Sequence, residues 1–200
     1  MKAKTKARDV QCYWLTSRAT SVSIPIKFQS LLSLLHGTKI EAILPHHTLK
    51  ISNSDNIYIV DFKNINGGDV ELLESEPEEI KYVHLENIQP ISIIFDGFKD
   101  NALPVTVGIF NKQCECVIFP ETCQDNDWIL FIETKYVNSL ENAFRENNDY
   151  PNCMITQIIE TVQYFREKNI IENNRRVNAI VSFPTLIEEF NSTFFTGTQS

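Results

Sequence analysis

An apolar run, "DWILFIETKY" at 127–136, ends on a glutamate and a lysine two residues apart, Glu133 and Lys135. Side chains alternate faces along a strand, so these two point the same way, with Ile132 and Thr134 pointing the other. Shortly before it, "CECVIF" sets Glu115 in the middle of another apolar stretch, between Cys114 and Cys116, which are expected to face away from it. Charged groups are costly to bury unless something pairs with them. If the two strands pair across the intervening loop, Glu115 and Glu133 meet on one face with Lys135 beside them. Two carboxylates so close are stable only with a proton or a cation between them. A hard divalent ion such as Mg2+ takes oxygen ligands, which here would be the two carboxylates and the carbonyl of Thr134. Such an ion activates water and stabilises charge on a phosphate, and the Lys135 ammonium adds charge for the transition state or positions and deprotonates the water.

These residues need elements to position them. "ISIIF" reads as a strand, "DGFKDN" as a turn, and "VTVGIF", "CECVIF" and "WILFIETKYV" as three further strands. Residues 139–148 and 152–168 read as helices. In the second, Met154, Ile155, Ile158, Val162 and Phe165 form one apolar stripe, and Pro151 stands near the first turn, where proline is tolerated. "VNAIVSF" is a final strand that Pro184 breaks, and "TLIEEF" a short closing helix. Strands, then helix, then strand imply a mixed α/β layer arrangement.

The hairpin with its following helix resembles the core of the PD-(D/E)xK nuclease superfamily. In that family an acid on one strand precedes a (D/E)-x-K on the next, in a mixed sheet flanked by helices. The resemblance covers roughly residues 91–183. It implies a restriction-endonuclease-like core over 91–200 and an N-terminal α+β extension over 1–90 of unassigned role. It puts Glu115 at the first acidic position and Glu133-Thr134-Lys135 at the second motif. Many members carry a glutamine on the following helix near the active site, and Gln157 in "QIIETVQYF" matches it, with Thr161 and Tyr164 following at helical spacing. The implied activity is Mg2+- or Mn2+-dependent hydrolysis of phosphodiester bonds, in DNA rather than RNA, within a defence or repair system. A protein partner or a homodimer would supply further DNA affinity. This chain departs from the pattern in having Glu at the first acid and no counterpart of the glutamate on an N-terminal helix. Asp125 and Asp127 are the alternatives for the first acid, with hairpin capping as their ordinary role. The rival reading is a catalytically inactive module of the same fold within a larger complex.

The remaining chain is less specific. "PIKFQSLLSLLHG" reads as a short helix that Gly37 stops, with Phe28, Leu31, Leu32, Leu34 and Leu35 on one face. Residues 39–67 read as strands separated by turns, and "DVELLESEPEEIKY" as a solvated acidic loop or helical connection. A net charge of −8 repels a phosphate backbone unless cations gather locally, which argues against a nucleic-acid-coating protein. Five cysteines read as reduced, buried thiols in a cytoplasmic protein. A zinc site from Cys114, Cys116 and Cys123 lacks the usual spacing, and His46 and His47 supply no matching pair. No apolar run reaches membrane-spanning length, and the basic start lacks the apolar segment of a secretory signal. His36, His84, Trp14 and Trp128 read as packing or surface residues.

Overall fold

A computed structural model describes residues 10–14, 46–63, 65–87, 91–121, 128–145 and 149–186. The readings placed on 25–37, Cys123, Asp125 and Asp127, and most of the closing helix, lie outside them. The fold is α/β, with a mixed sheet and few helices.

In chain order the strands are β1 (Val10–Trp14), β2 (His47–Ser52), β3 (Asn56–Asp61), β4 (Val70–Leu73), β5 (Val83–Glu86) and β6 (Ile93–Phe98). Then come β7 (Pro104–Thr106), β8 (Ile109–Phe110), β9 (Cys116–Pro120), β10 (Leu130–Thr134), the helices α1 (Leu140–Ala143) and α2 (Tyr150–Glu167), and β11 (Val177–Ser182). The main sheet has the order β1-β11-β10-β9-β6-β2, parallel among its first three strands and antiparallel from β10 to β2. Its edge strands β1 and β2 come from the first 90 residues. A second, antiparallel sheet has the order β4-β3-β5.

Alternation along the strands sends apolar side chains to both faces of the main sheet, so each face needs a cover. One carries Ile94, Phe98, Val117, Phe119, Phe131, Ala179 and Val181, against Met154, Ile158, Val162 and Phe165 of α2. The other carries Phe95, Cys116, Ile118, Leu130, Ile132 and Ile180, against Ile57 and Ile59 of β3, Val70 and Leu72 of β4, and Val83 of β5. Of the sequence-predicted α2 stripe Met154, Ile158, Val162 and Phe165 are buried and Ile155 is half-buried, Pro151, Thr161 and Tyr164 join them, and Asn169 at φ 56 follows the end of the helix.

Several expectations are corrected. "DGFKDN" is strand as far as Phe98, because Asp96 is neutralised in mid-strand by His47. "VTVGIF" is a two-strand hairpin, turned at Gly108 with φ +76. "DVELL" contributes β4, with Val70 and Leu72 buried, while the acidic run behind it is exposed as expected. The helix expected over 139–148 is helical only at Leu140–Ala143 among the described residues.

Candidate metal and phosphate site

Glu115 stands one residue before β9, and Glu133 is the fourth residue of β10. The pairing Ile132↔Cys116 and Phe131↔Val117, continued by one step, sets Glu133 opposite Glu115. Directly opposed residues of an antiparallel pair share a face. The bond from Glu115 N–H to the Ile132 carbonyl, at 3.0 Å, holds that register where β9 begins. A loop between two apolar strands therefore delivers two carboxylates to one point.

Lys135 follows β10 and is fixed by its N–H donating to the Ser182 carbonyl at 3.0 Å. Its Nζ lies 2.7 Å from Glu133 Oε1 and 3.5 Å from Glu115 Oε1. Lys63, just past β3, approaches Glu115 from the second sheet: its Nζ is 3.0 Å from Glu115 Oε2 and donates to the Phe98 carbonyl at 3.1 Å. Side-chain exposure is 27% for Lys63 and 23% for Lys135, against 7% for Glu115 and 0% for Glu133, so a solute meets the ammonium groups first.

Glu133 is the atypical member. Despite Lys135 beside it, neither of its oxygens has a hydrogen bond of acceptable geometry, and both are buried. Burial, and then the Glu115 charge, outweigh the two lysines and push its carboxyl up to about 8. Desolvation opposes the charge on Lys135, yet Glu133 and Glu115 hold that ammonium above the ordinary lysine value. Lys63 is likewise raised: burial works against its charge and Glu115 prevails.

The expected site residues fall into two groups. Glu115, Glu133 and Lys135 converge. Thr134 is buried, its hydroxyl without a partner, and alternation turns that hydroxyl away from Glu133. Gln157 donates from Nε2 to the Gln113 carbonyl at 2.7 Å, so its amide grips the chain two residues before Glu115. Thr161 acts beside it: its Oγ1 accepts from Cys114 N–H at 2.9 Å and donates to the Gln157 carbonyl at 2.8 Å. That grip corrects one reading. Cys114 and Cys116 do not share the face away from Glu115: Cys114 packs in the core on the α2 side, whereas Cys116 lies on the opposite face. Burial pushes both thiols well up, which suits inert cysteines, and neither forms a disulfide.

Sequence reasoning missed Lys63. The signal was present in "IYIVDFK", where Asp61-x-Lys63 closes an apolar strand as Glu133-x-Lys135 closes another. Asp61 is buried and its Oδ1 accepts from Lys63 N–H at 2.9 Å. Tyr136 adjoins it, donating from its hydroxyl to the Lys81 carbonyl at 2.8 Å. Away from this cluster, His47 Nδ1 lies 2.9 Å from buried Asp96, His84 bonds Asn56 at 2.9 Å, and Trp128 packs against the core beneath the second sheet.

Whether these residues suit a divalent cation turns on the donors. The oxygens of Glu133 are buried, with Lys135 Nζ 2.7 Å from Oε1, and a second carboxylate opposes them; both groups are hard oxygen donors. Among the described residues no group of three or more His, Cys, Asp or Glu side chains converges in a metal-binding arrangement. Two carboxylates suffice for Mg2+, which keeps several waters and takes substrate phosphate oxygens, whereas Ca2+ wants more protein oxygens. The set fits Mg2+ or Mn2+.

Comparison with known proteins found no matching family model, no matching curated protein and no matching solved structure. No helix among the described residues is long and apolar enough to cross a membrane.

Proposed function

We propose that this chain is a metal-dependent nuclease of the PD-(D/E)xK type, hydrolysing phosphodiester bonds in DNA. One observation carries the reading: Glu115 and Glu133 oppose each other in register, with the buried Glu133 carboxyl 2.7 Å from the Lys135 ammonium. Glu115 and Glu133 would hold Mg2+ or Mn2+, and that ion would supply an activated water and charge stabilisation at the phosphate.

The chain's own residues do the rest. Lys135 stays protonated, so it acts as a fixed positive charge for the developing phosphorane and as a donor orienting the attacking water. Burial and the Glu115 charge raise the Glu133 carboxyl to about 8, so it favours its proton in the cation-free protein and would release it to a bound cation. Gln157 and Thr161 act through the backbone at Gln113 and Cys114, fixing where Glu115 starts its strand.

A second reading has its own observation. Three ammonium–carboxylate contacts at 2.7, 3.0 and 3.5 Å already neutralise much of the cluster. An inactive module of this fold would use that network only to join its layers. Incubating supercoiled plasmid with the protein and Mg2+ or Mn2+ separates the two. The nuclease reading expects nicking that Lys135→Ala abolishes while the circular dichroism spectrum and melting stay native. No cleavage of any DNA or RNA with either metal would leave the inactive module standing.

A further inference from the structure

We propose that Lys63 is a built-in counter-cation of this site: it occupies Glu115 in the free protein and transfers to a substrate phosphate, clearing Glu115 for the metal. The inference rests on the nuclease reading and deepens it.

Glu115 has one ammonium on each oxygen, Lys63 at 3.0 Å from Oε2 and Lys135 at 3.5 Å from Oε1. A divalent cation taking Oε2 would meet the Lys63 charge at contact distance, and like charges that close in a partly desolvated site repel strongly. Lys63 must therefore withdraw or be outcompeted. Lys135 cannot be the group that withdraws without also abandoning Glu133, 2.7 Å away.

Lys63 is built to move. Its backbone is anchored, through N–H to Asp61 Oδ1 at 2.9 Å, while its head lies at the end of a flexible four-carbon stem with 27% of the side chain exposed. Besides Glu115 the head holds the Phe98 carbonyl at 3.1 Å and, at 3.9 Å, Asp100, which is 91% exposed and a weak competitor. A phosphate arriving from solvent offers a charged acceptor on that open side. In a chain of net charge −8, a local ammonium is also what a nucleic-acid backbone needs at the point of approach. One residue thus couples phosphate arrival to metal entry, and it does so from the β4-β3-β5 sheet rather than from the hairpin that carries the carboxylates.

The test is Mn2+ titration by calorimetry, with and without a phosphorothioate-linked oligonucleotide, on the wild type, Lys63→Met and Lys63→Arg. Without oligonucleotide, Lys63→Met should bind Mn2+ about tenfold tighter than wild type, and Lys63→Arg should track wild type. Oligonucleotide should tighten Mn2+ binding by the wild type by a larger factor than by Lys63→Met, because only the wild type has Lys63 to move off Glu115. Equal or weaker Mn2+ binding by a folded Lys63→Met overturns the proposal while leaving the nuclease reading intact. If Lys63→Met does not melt cooperatively, the wild-type pair decides: unchanged Mn2+ affinity at saturating oligonucleotide is the overturning result. Absence of Mn2+ binding by every variant, with Glu133→Gln no different, removes both the inference and the reading beneath it.

Discussion

At Glu133, burial and the neighbouring Glu115 favour the proton, and Lys135 opposes them without prevailing. The folded carboxyl titrates near 8 against an ordinary 4.5, so the unfolded chain releases this proton first as pH rises. The stability this carboxyl contributes is then fully present below about 4.5 and lost as pH climbs through about 8. Metal-free protein should therefore melt lower at alkaline pH, with Glu133 responsible for a loss on the order of a few kcal/mol. Glu133→Gln should flatten that part of the profile in calorimetric melts across the range; an unchanged slope would show that Glu133 is ionised throughout. His47 is raised above 6.5 despite its burial, through Asp96, and its contribution runs in the same direction, so the difference between wild type and Glu133→Gln isolates the carboxyl. The carboxylate pair and Lys135 were legible because strand alternation and a hairpin are local rules. Lys63 was not, since its contact with Glu115 spans 52 residues and two layers, and nothing in "DFKN" says which strand it will cover.

The elements around the site act as clamps. α2 holds the chain ahead of β9 through Gln157 and Thr161, and the sequence yields that helix and its apolar stripe because 3.6-residue periodicity is a strong signal. It does not yield the purpose of Thr161, a polar residue buried in the stripe that satisfies the buried Cys114 N–H. Thr161→Val should cost about 1–3 kcal/mol in urea unfolding, because that donor is left unpaired, and should lower cleavage by loosening Glu115. On the opposite face β4 crosses close to β6. A Cβ at Gly97 would come within 2.8 Å of the Val70 carbonyl, so Gly97→Ala must push the two sheets apart. A destabilisation of about 1–3 kcal/mol is expected for such overpacking, and a native melting temperature for this variant would deny the close crossing. "DGF" looked like a turn because Asp and Gly favour turns; the tertiary demands of His47 and of the crossing sheet override that preference.

At the scale of the molecule, the main sheet is buried on both faces, and its covers come from distant stretches of sequence. The order of strands and helices announced a mixed α/β class, but the pairing of β2 with β6 and the cover by β3, β4 and β5 are long-range facts that no local pattern encodes. A fragment of residues 91–200 would uncover Phe95, Ile118 and Ile132 and strip β6 of its edge neighbour β2. It should bind the dye ANS and melt without cooperativity, whereas a sharp transition would mean that the second sheet is dispensable. That sheet also supplies Lys63, so removing it would alter the site as well as the core.

The central claim, that Glu115 and Glu133 share one divalent cation, meets its most direct test in crystals soaked in Mn2+ and measured for anomalous scattering. The account predicts a single peak bridged by the two carboxylates, lost in Glu133→Gln crystals. Well-ordered carboxylates with no peak between them would contradict it.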